Sequence, residues 1–546
     1  MGTRPPPASA RRRAPSPSRL SFLPVLAFAF LLLPLAPCSG AYPDAREYAL
    51  ASRLVPNASD AANARFGASV MFDAGLVASV VNASAVEVFA LDADGSLTAS
   101  APSRVFALPD PDAELGADPS ALSPLSSHVD MRDGVLVIGT PAREGATGGA
   151  KVWCYDDATR SWSAEFETLA SSDGNAGRAG FSVATSGGPS LGVVVLGAPD
   201  FDDGDGRGAA YVFARATPGD RTSHWTVVAR LTHHGADAND RFGANVAAHH
   251  GAGGEGNGWV LASAPGASSG LGEVHAFARI DGFGGTDASL GFAWAHSQTL
   301  APDSDAPATC GFGAGLAVTG HRAFASCGSQ TDHDSASAYA GRGVLFALAR
   351  GASSAASATF TVDADQDALA AYASAESTTG TWIRDAVLIP PDPPSGDAEE
   401  FSAGALALAG ATAAMSRVAV SGAAGLGGGA YAWRREVDPD AGGAGSSSAA
   451  QWRPQGRVAR NGTEVVGFGR AVAIDRGTGD VCVSAAASAG SAGDAAGYGS
   501  GSAWLFAAVA DPPPSPPPPQ PSPPPLPPPP ANPSPPDAPE PPGPPP

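Results

Sequence analysis

Residues 242–277 have the sequence FGANVAAHHGAGGEGNGWVLASAPGASSGLGEVHAF. Three short apolar runs, at 244–248, 259–263 and 274–277, are separated here by glycine-rich turns. Short runs bounded by glycine and proline are typical of β-strands, and apolar segments long enough for a helix are almost absent from the chain. The stretch therefore predicts three consecutive strands joined by tight turns.

The phrase that opens this stretch, an aromatic residue followed by glycine or serine, returns along the chain. It occurs at Phe66-Gly67, Phe181-Ser182, Phe242-Gly243, Phe312-Gly313, Phe401-Ser402 and Phe468-Gly469, with Leu115-Gly116 as a degraded copy. A period of this length indicates one supersecondary unit used repeatedly, each unit burying a face against its neighbours. Seven units are therefore predicted, with function carried by loops at one face instead of a compact cleft.

A fourth strand precedes the phrase, and it carries an aromatic residue upstream of an aliphatic one. The pairs stand six residues apart, with one extra residue in the last of them: Trp225/Leu231, Trp294/Leu300, Trp382/Leu388, Trp452/Val458 and Trp162/Leu169. An even spacing places both side chains on one face of a strand. Four strands per unit and seven units predict an all-β, seven-bladed β-propeller.

The two ends of the repeat predict how the ring closes. The last unit has no fourth strand of its own, because the chain enters a proline run soon after the strand around Trp504. Tyr48 and Leu54, upstream of Phe66, repeat the aromatic–aliphatic spacing. We therefore expect residues 47–55 to complete the last blade, which removes two open sheet edges.

The order of these elements resembles the FG-GAP repeat of integrin-α-like propellers. The match is most complete where Gly197-Ala198-Pro199 and Tyr211-Val212-Phe213 follow the opening phrase, and the resemblance covers about 45–510. Integrin-type repeats often carry a calcium loop of spaced aspartates between Phe-Gly and Gly-Ala-Pro. Glycines occupy that segment here, at 187–188 and 251–258. The resemblance therefore implies the metal-free subgroup, with no calcium carried over as a cofactor.

Composition divides the chain into a signal peptide (1–41), a propeller (42–510) and a proline-rich tail (511–546). The leader has three arginines at 11–13, an apolar run at 22–35 and small residues at 39–41, which is typical of a secretion signal. The apolar run is short for a membrane span, so no transmembrane segment is expected after cleavage. An organellar transit peptide and an uncleaved anchor are the alternatives.

The net charge of −21 disfavours nucleic acid and anionic membranes as partners, since both attract clustered lysine and arginine. The tail consists of proline with scattered serine, a composition that favours an extended polyproline II rod. Its Ser515 and Ser522 each precede a proline block and resemble the Ser-Pro blocks of plant and green-algal hydroxyproline-rich wall glycoproteins. That resemblance implies hydroxylation and O-linked sugars, so the tail is either a wall or matrix anchor or a simple spacer.

Four cysteines follow the leader. Cys310 and Cys327 flank the first hairpin of the fifth unit, so we expect them to form a disulfide, which fits an oxidising compartment. Cys154 and Cys482 belong to different units and are interpreted as small buried hydrophobes. Three glycosylation sequons, at Asn57, Asn82 and Asn461, agree with secretion.

Metal and catalytic motifs are weak. The acidic run supplies Asp200, Asp202, Asp203 and Asp205 as calcium candidates, but counting back from Gly206 places Phe201 at the first ligand position of an EF-hand loop. His233-His234 and His249-His250 are interpreted as solvated loop histidines, with zinc or copper binding as the alternative. Two Gly-x-Ser-x-Gly strings, at 188–192 and 266–270, lead into strands instead of helices, so they do not predict a nucleophile elbow.

Together these features predict a secreted, non-enzymatic binding or adhesion module of the extracellular matrix or cell wall. A loop face of the propeller would bind an extracellular protein or glycan, and no catalytic or cofactor-binding residue is expected. One alternative is a structural wall glycoprotein in which the tail is the functional part. The other is a polysaccharide-active enzyme on a propeller scaffold, which needs convergent carboxylates or a metal at the axis.

Overall fold

A computed structural model describes residues 49–55, 66–81, 85–92, 96–99, 102–107, 128–143, 147–156, 158–163, 166–170, 177–201, 205–233, 235–251, 258–281, 292–302, 306, 310–327, 343–349, 381–388, 405–417, 429–436, 451–458, 468–485 and 501–507. Within them, 29 strands form seven antiparallel sheets, and two short helical turns are complete, α1 (Gly188–Leu191) and α2 (Ala267–Gly270). The seven-bladed propeller predicted from the repeat is confirmed. No helix in these ranges combines the length and hydropathy needed to cross a membrane.

Each blade runs from an innermost first strand to an outermost last one. Blades 1 and 2 consist of β2 (Val70–Asp73), β3 (Leu76–Val81), β4 (Ala85–Ala90) and β5 (Arg104–Ala107), then β6 (Val129–Arg132), β7 (Val135–Gly139), β8 (Ala150–Asp156), β9 (Ser161–Trp162) and β10 (Glu167–Leu169). Blades 3 and 4 consist of β11 (Ser182–Ser186), β12 (Val193–Ala198), β13 (Ala209–Arg215) and β14 (Trp225–Leu231), then β15 (Val246–His249), β16 (Trp259–Ala264), β17 (Glu273–Asp281) and β18 (Phe292–Leu300). Blades 5 and 6 consist of β19 (Gly315–Thr319), β20 (Arg322–Ser326), β21 (Gly343–Ala349) and β22 (Thr381–Leu388), then β23 (Leu406–Ala409), β24 (Thr412–Arg417), β25 (Gly429–Glu436) and β26 (Gln451–Val458). Blade 7 consists of β27 (Phe468–Ile474), β28 (Val481–Ala485), β29 (Ser502–Ala507) and, at its outer edge, β1 (Ala49–Leu54).

The ring closes through β1, as the two ends of the repeat predict. This strand pairs antiparallel with β29, and Leu54 stands opposite Ala503. Arg53 donates a hydrogen bond from Nη2 to Ser502 Oγ at 3.0 Å, and its guanidinium lies 5.8 Å from the centre of the Trp504 ring. The N-terminal strand therefore covers an edge of the last blade that would otherwise be open.

The apolar core is divided among the junctions between blades. Seven clusters of buried side chains occur in the described residues, one for each pair of neighbouring blades. The cluster between blades 1 and 2 contains Phe106 and Trp153, and the cluster between blades 7 and 1 contains Leu54 and Phe66. Because each blade buries both faces against its neighbours, the ring stabilises all blades together.

The Phe-Gly phrase lies where consecutive blades meet. Phe242 is fully buried, and its backbone bridges to Gly208 of the preceding blade. Gly243 follows with a φ of +85°, and a Cβ added there would lie 2.3 Å from the carbonyl oxygen of Ala209. Only glycine combines the left-handed backbone with such a close approach. The phrase is therefore an inter-blade joint, meaning the buried residue and the glycine that seat each blade on the one before it.

The joint of blade 3 corrects the predicted phase of the repeat. Gly180, with a φ of +85°, occupies the glycine position, and Ala179 bridges to Gly148 in place of an aromatic residue. The phase predicted at Phe181-Ser182 is therefore wrong by two residues. Phe181 is still buried, because its ring packs against that of His128, 5.2 Å away.

Two further copies of the phrase, Leu115-Gly116 and Phe401-Ser402, lie outside the described residues.

The structure also contradicts the prediction that the aromatic and aliphatic residues of each outer strand lie on one face. In β14 a bulge lies between Trp225 and Leu231, and an extra residue in a strand reverses the alternation of its side chains. Trp225 consequently packs between blades 2 and 3, and Leu231 packs between blades 3 and 4. The outer strands of blades 4, 5 and 6 contain the same bulge and divide their pairs in the same way.

Blade 2 departs furthest from the four-strand plan. Its Trp162/Leu169 pair has the extra residue noted in the sequence, and the outer strand is split there into β9 and β10. Both short strands pair with β8, so this blade contains five strands in the described part of the chain.

Candidate binding face at the channel mouth

The first strands of the blades surround a central channel. Its cavity measures about 190 Å³ and is lined largely by small apolar side chains such as Ala184, Ala247 and Ala317. Pockets that enclose small-molecule ligands usually measure about 300–1,000 Å³, so this channel is narrow for a ligand. A ligand of ordinary size would therefore lie outside the channel, which makes the surface around its mouth a candidate binding face.

One mouth is formed by the turns that join each first strand to the second, and we call this surface the hairpin face. Arg476 lies at its centre and joins three blades. The guanidinium donates to Asp73 Oδ1 from Nε at 3.2 Å and from Nη2 at 3.1 Å, and Nη2 also donates to Asp133 Oδ1. These three residues are called the clasp, and they connect blade 7 to blades 1 and 2.

The charges of the clasp stabilise one another. Burial by itself would raise the pKa of Asp133, but Arg476 and the Gly187 N–H outweigh it and hold that pKa below its ordinary value. Burial would likewise lower the pKa of Arg476, while the carboxylates of Asp73 and Asp133 raise it. Both groups stay ionised at neutral pH, so the clasp is a charged link at the channel mouth.

The hairpin turns are also connected from blade to blade by hydrogen bonds to backbone N–H groups. Four such bonds follow the ring: Gly75 N to Asp475 Oδ2 at 3.3 Å, Asp133 N to Asp73 Oδ2 at 2.6 Å, Gly187 N to Asp133 Oδ2 at 2.7 Å, and His250 N to Ser186 Oγ at 3.1 Å. Each bond fixes one turn relative to the next. This part of the face is therefore preorganised, which lowers the entropic cost of binding.

A groove of about 480 Å³ lies between blades 1 and 2 on this face, and we call it the blade 1–2 groove. Its lining consists of Asp73, Ala74, Leu76, Met131, Asp133, Gly134, Tyr155, Trp162, Arg476 and Gly477. The clasp forms the polar part, and Tyr155 and Trp162, with ring centroids 5.1 Å apart, form an aromatic wall. Among the described residues, neither Tyr155 Oη nor Trp162 Nε1 has a hydrogen-bond partner. Apolar walls with a few convergent polar groups are typical of ligand sites.

A second groove, of about 600 Å³, lies between the outer strands of blades 2 and 3. Its buried Arg215 donates from Nη1 to Glu167 Oε2 at 3.0 Å and from Nη2 to Cys154 Sγ at 3.4 Å, and it stacks on Trp225 at 4.5 Å. Burial raises the pKa of the Cys154 thiol, which keeps it neutral. Trp162 lines this groove as well as the blade 1–2 groove, and Arg215 is held by its partners here much as Arg476 is held in the clasp. The blade 1–2 groove differs because it adjoins the channel mouth, where Asp73, Met131 and Arg476 also line the channel.

The calcium candidates are divided between described and undescribed positions. Asp200 accepts a hydrogen bond from Arg178 at 3.2 Å, and Asp205 lies 3.8 Å from Arg207. Asp202 and Asp203 lie outside the described residues. Nowhere in the described ranges do three histidine, cysteine or acidic side chains converge in a way that could hold a metal ion. The charges of the two visible aspartates are therefore compensated by arginines.

The described histidines of the two pairs that flank the phrase of blade 4 lie in different parts of the blade. His233 stacks on His275 with ring centroids 4.6 Å apart, near the start of the blade, whereas His249 ends β15 and is followed by His250 at the hairpin face. All four of these side chains are buried, so the interpretation as solvated loop histidines is wrong for the described ones. His234 lies outside the described residues.

Burial also decides the protonation of these imidazoles. It lowers the pKa of His275 to about 3, with help from the neighbouring His233. It lowers the pKa of His249 to about 4, with help from Arg132 and Arg476. Both histidines are therefore neutral at neutral pH.

The structure joins Cys310 to Cys327 by a disulfide, and both cysteines are buried. Cys482 is also buried, and its burial raises the pKa of the thiol. The three sequons, at Asn57, Asn82 and Asn461, lie outside the described residues.

Sequence reasoning missed the clasp and the aromatic wall. A local signal was available for part of the clasp, because Asp73 and Asp133 each stand within two residues of a turn glycine, Gly75 and Gly134. Nothing in their spacing indicates that Arg476 binds these aspartates or that Tyr155 and Trp162 line the same groove.

No family model matches this chain, and no curated protein matches its sequence. Three solved structures are similar in fold. "Structure of U3-55K" has 8% identity and a TM-score of 0.40, and the match covers 84% of this chain and 99% of that one. "Crystal Structure of Mitotic Checkpoint Complex" has 13% identity, a TM-score of 0.38 and coverage of 86% of this chain and 99% of that one, and "Crystal structure of RRP9 WD40 repeats" has 8% identity, a TM-score of 0.37 and coverage of 84% of this chain and 100% of that one. Likeness at this level says nothing about partners or activity. The FG-GAP resemblance stays a prediction, and the propeller assignment is based on the pairing of the strands.

Proposed function

We propose that this chain is a secreted, non-enzymatic binding module of the extracellular matrix or cell wall, whose hairpin face binds an extracellular protein or glycan. The observation that carries the proposal is the blade 1–2 groove, which combines an aromatic wall, free donors and a rigid charged clasp. The leader at 1–41 and the Cys310–Cys327 disulfide support secretion, since disulfides persist in oxidising compartments.

The groove is suited to a ligand that has an apolar face and polar edges. The rings of Tyr155 and Trp162 provide flat apolar area at low cost in side-chain entropy, and their polar atoms can still donate hydrogen bonds. A sugar ring and a protein loop both meet this description. The hydrogen bonds between the hairpin turns hold the groove in shape before the ligand arrives.

The test uses the purified full-length chain, and a chain that ends at Ala510 and keeps every described strand, on an array of wall and matrix glycans and on a panel of purified matrix proteins. Tyr155→Ala removes half of the aromatic wall, and Phe166→Ala removes an exposed aromatic side chain from the second groove as a matched control. We expect Tyr155→Ala to weaken binding about five- to tenfold, since an aromatic contact contributes on the order of 1–1.5 kcal/mol. Binding by neither class of ligand, or equal losses in both variants, would contradict the proposal.

Secretion is tested separately by expressing the chain with its own leader in eukaryotic cells. We expect protein in the medium whose N-terminus lies near Tyr42, because small residues precede that position. Retention in the cell with residues 1–41 intact would show that the leader is not a cleaved secretion signal.

A further inference from the structure

We propose that the proline-rich tail, residues 511–546, docks into the blade 1–2 groove of its own chain. A docked tail would compete with an external ligand for this groove, so the inference adds regulation to the proposed binding role, and its own test needs no external ligand. It follows from where the tail leaves the propeller, how far it can reach, and what the groove offers to a proline-rich segment.

The tail leaves the propeller on the face that carries the groove. The last strand before it, β29, ends at Ala507, and Phe506 pairs with Val481, the residue that begins β28. Val481 directly follows the hairpin turn of blade 7, and Gly477 of that same turn lines the groove. The end of β29 and the inner end of the groove therefore belong to the same blade.

The tail is long enough to reach along the groove. Packed sheets lie about 10 Å apart, so the groove between blades 1 and 2 is on the order of 20 Å from blade 7. A polyproline II segment advances about 3.1 Å per residue, so roughly seven residues span that distance. The proline blocks after Ser515 and Ser522 come into range first.

The chemistry of the groove matches that of a polyproline segment. Proline has no N–H, so the proline residues of such a rod offer only carbonyl acceptors together with apolar ring faces. The groove offers complementary groups, since Tyr155 Oη and Trp162 Nε1 have no partner in the described structure, and Leu76 and Met131 are apolar. Aromatic-lined grooves recognise proline-rich segments in this way, and the preformed rod loses little entropy on binding.

Charge also favours this occupant. The charges that line the groove belong to the clasp, where Arg476 and the two aspartates bind one another. A charged ligand would have to compete with those contacts. Residues 512–536 of the tail contain no acidic or basic side chain, so this segment can lie in the groove without disturbing the clasp.

The test measures binding of a fluorescent synthetic peptide of residues 512–530 by anisotropy. It compares the full chain with a chain that ends at Ala510, both made in a host that does not hydroxylate proline. All described strands lie between residues 49 and 507, so the shorter chain keeps every one of them. We expect the shorter chain to bind the peptide and the full chain to bind it about tenfold more weakly. The tethered tail, at an effective concentration of about 1 mM, competes with the peptide for a groove that binds this sequence with a Kd of about 0.1 mM.

Variants of the shorter chain locate the site. Tyr155→Ala should weaken peptide binding about tenfold, and Tyr155→Phe, which keeps the ring and loses the donor, should have a smaller effect. Phe166→Ala in the second groove should leave binding unchanged.

Four results would overturn the proposal. The first is a shorter chain that does not bind the peptide, and the second is equal binding of the peptide by both chains. The third is a loss of binding in Phe166→Ala as large as that in Tyr155→Ala. The fourth is a full chain that forms dimers by sedimentation while the shorter chain stays monomeric, since the tail would then occupy a second copy.

Discussion

Replacing Gly243 by alanine tests whether the inter-blade joint limits the stability of the ring. Two costs add at this position. An L-residue in the left-handed region, here at a φ of +85°, costs about 1–2 kcal/mol. The new Cβ would lie 2.3 Å from the Ala209 carbonyl oxygen, and an overpacked contact costs a further 1–3 kcal/mol or so.

We therefore expect Gly243→Ala to lower the free energy of unfolding by about 2–5 kcal/mol. A matched control is Gly219→Ala, because Gly219 has a φ of +87° and no atom within 4 Å of an added Cβ. The control should show only the backbone cost, about 1–2 kcal/mol. Any gain from a stiffer unfolded chain is common to both variants and cancels in the comparison.

The measurement is equilibrium urea unfolding of the two full-length variants and the parent, followed by tryptophan fluorescence. Tryptophans occur in the clusters on both sides of blade 4, with Trp259 on one side and Trp294 on the other, so loss of the joint is visible to the probe. If Gly243→Ala is no less stable than Gly219→Ala, the close approach is not what requires glycine, and the account of the joint is wrong.

Three further predictions concern the clasp, the buried histidines and the disulfide. Arg476→Ala leaves Asp73 without its cation, so it should lower the free energy of unfolding by about 2 kcal/mol, allowing for partial exposure. The control Arg207→Ala, at an exposed pair, should change the free energy of unfolding by less than about 0.5 kcal/mol. Equal effects of the two variants in urea unfolding would contradict this prediction. The pKa of His275 in the folded chain is about 3, so the unfolded chain binds more protons than the folded chain between pH 6.5 and 3. Stability therefore falls as the pH drops through that window, and His275→Gln should lose less stability than the parent between pH 7 and 4.5. A variant that loses as much as the parent would show that this histidine does not contribute. Cys310→Ser removes the disulfide that closes a short loop, so it should lower the free energy of unfolding by about 3 kcal/mol. An unchanged urea midpoint under non-reducing conditions would show that the bond does not stabilise the native state.

In the outer strands, the spacing of residues in the sequence does not predict which face of the blade a side chain occupies. Counting in twos places Trp225 and Leu231 on one face, yet the bulge in β14 sends them into different clusters. A bulge adds a residue without changing the composition of the strand, so the spacing in the sequence cannot reveal it. The phase error at Phe181 has another cause, because the small Ala179 occupies a position that is aromatic in blades 1 and 4, and an aromatic residue follows two places later.

The sequence by itself determined the class of the fold, the number of blades and the closure by the N-terminal strand. These properties repeat along the chain, and each copy adds the same local evidence of short apolar runs, turn glycines and a buried aromatic residue. Only the tertiary structure decided which residues form the candidate binding face. Arg476 meets Asp73 and Asp133 because the ring brings blade 7 against blades 1 and 2, and contacts between residues so far apart in the chain depend on ring closure and have no local pattern.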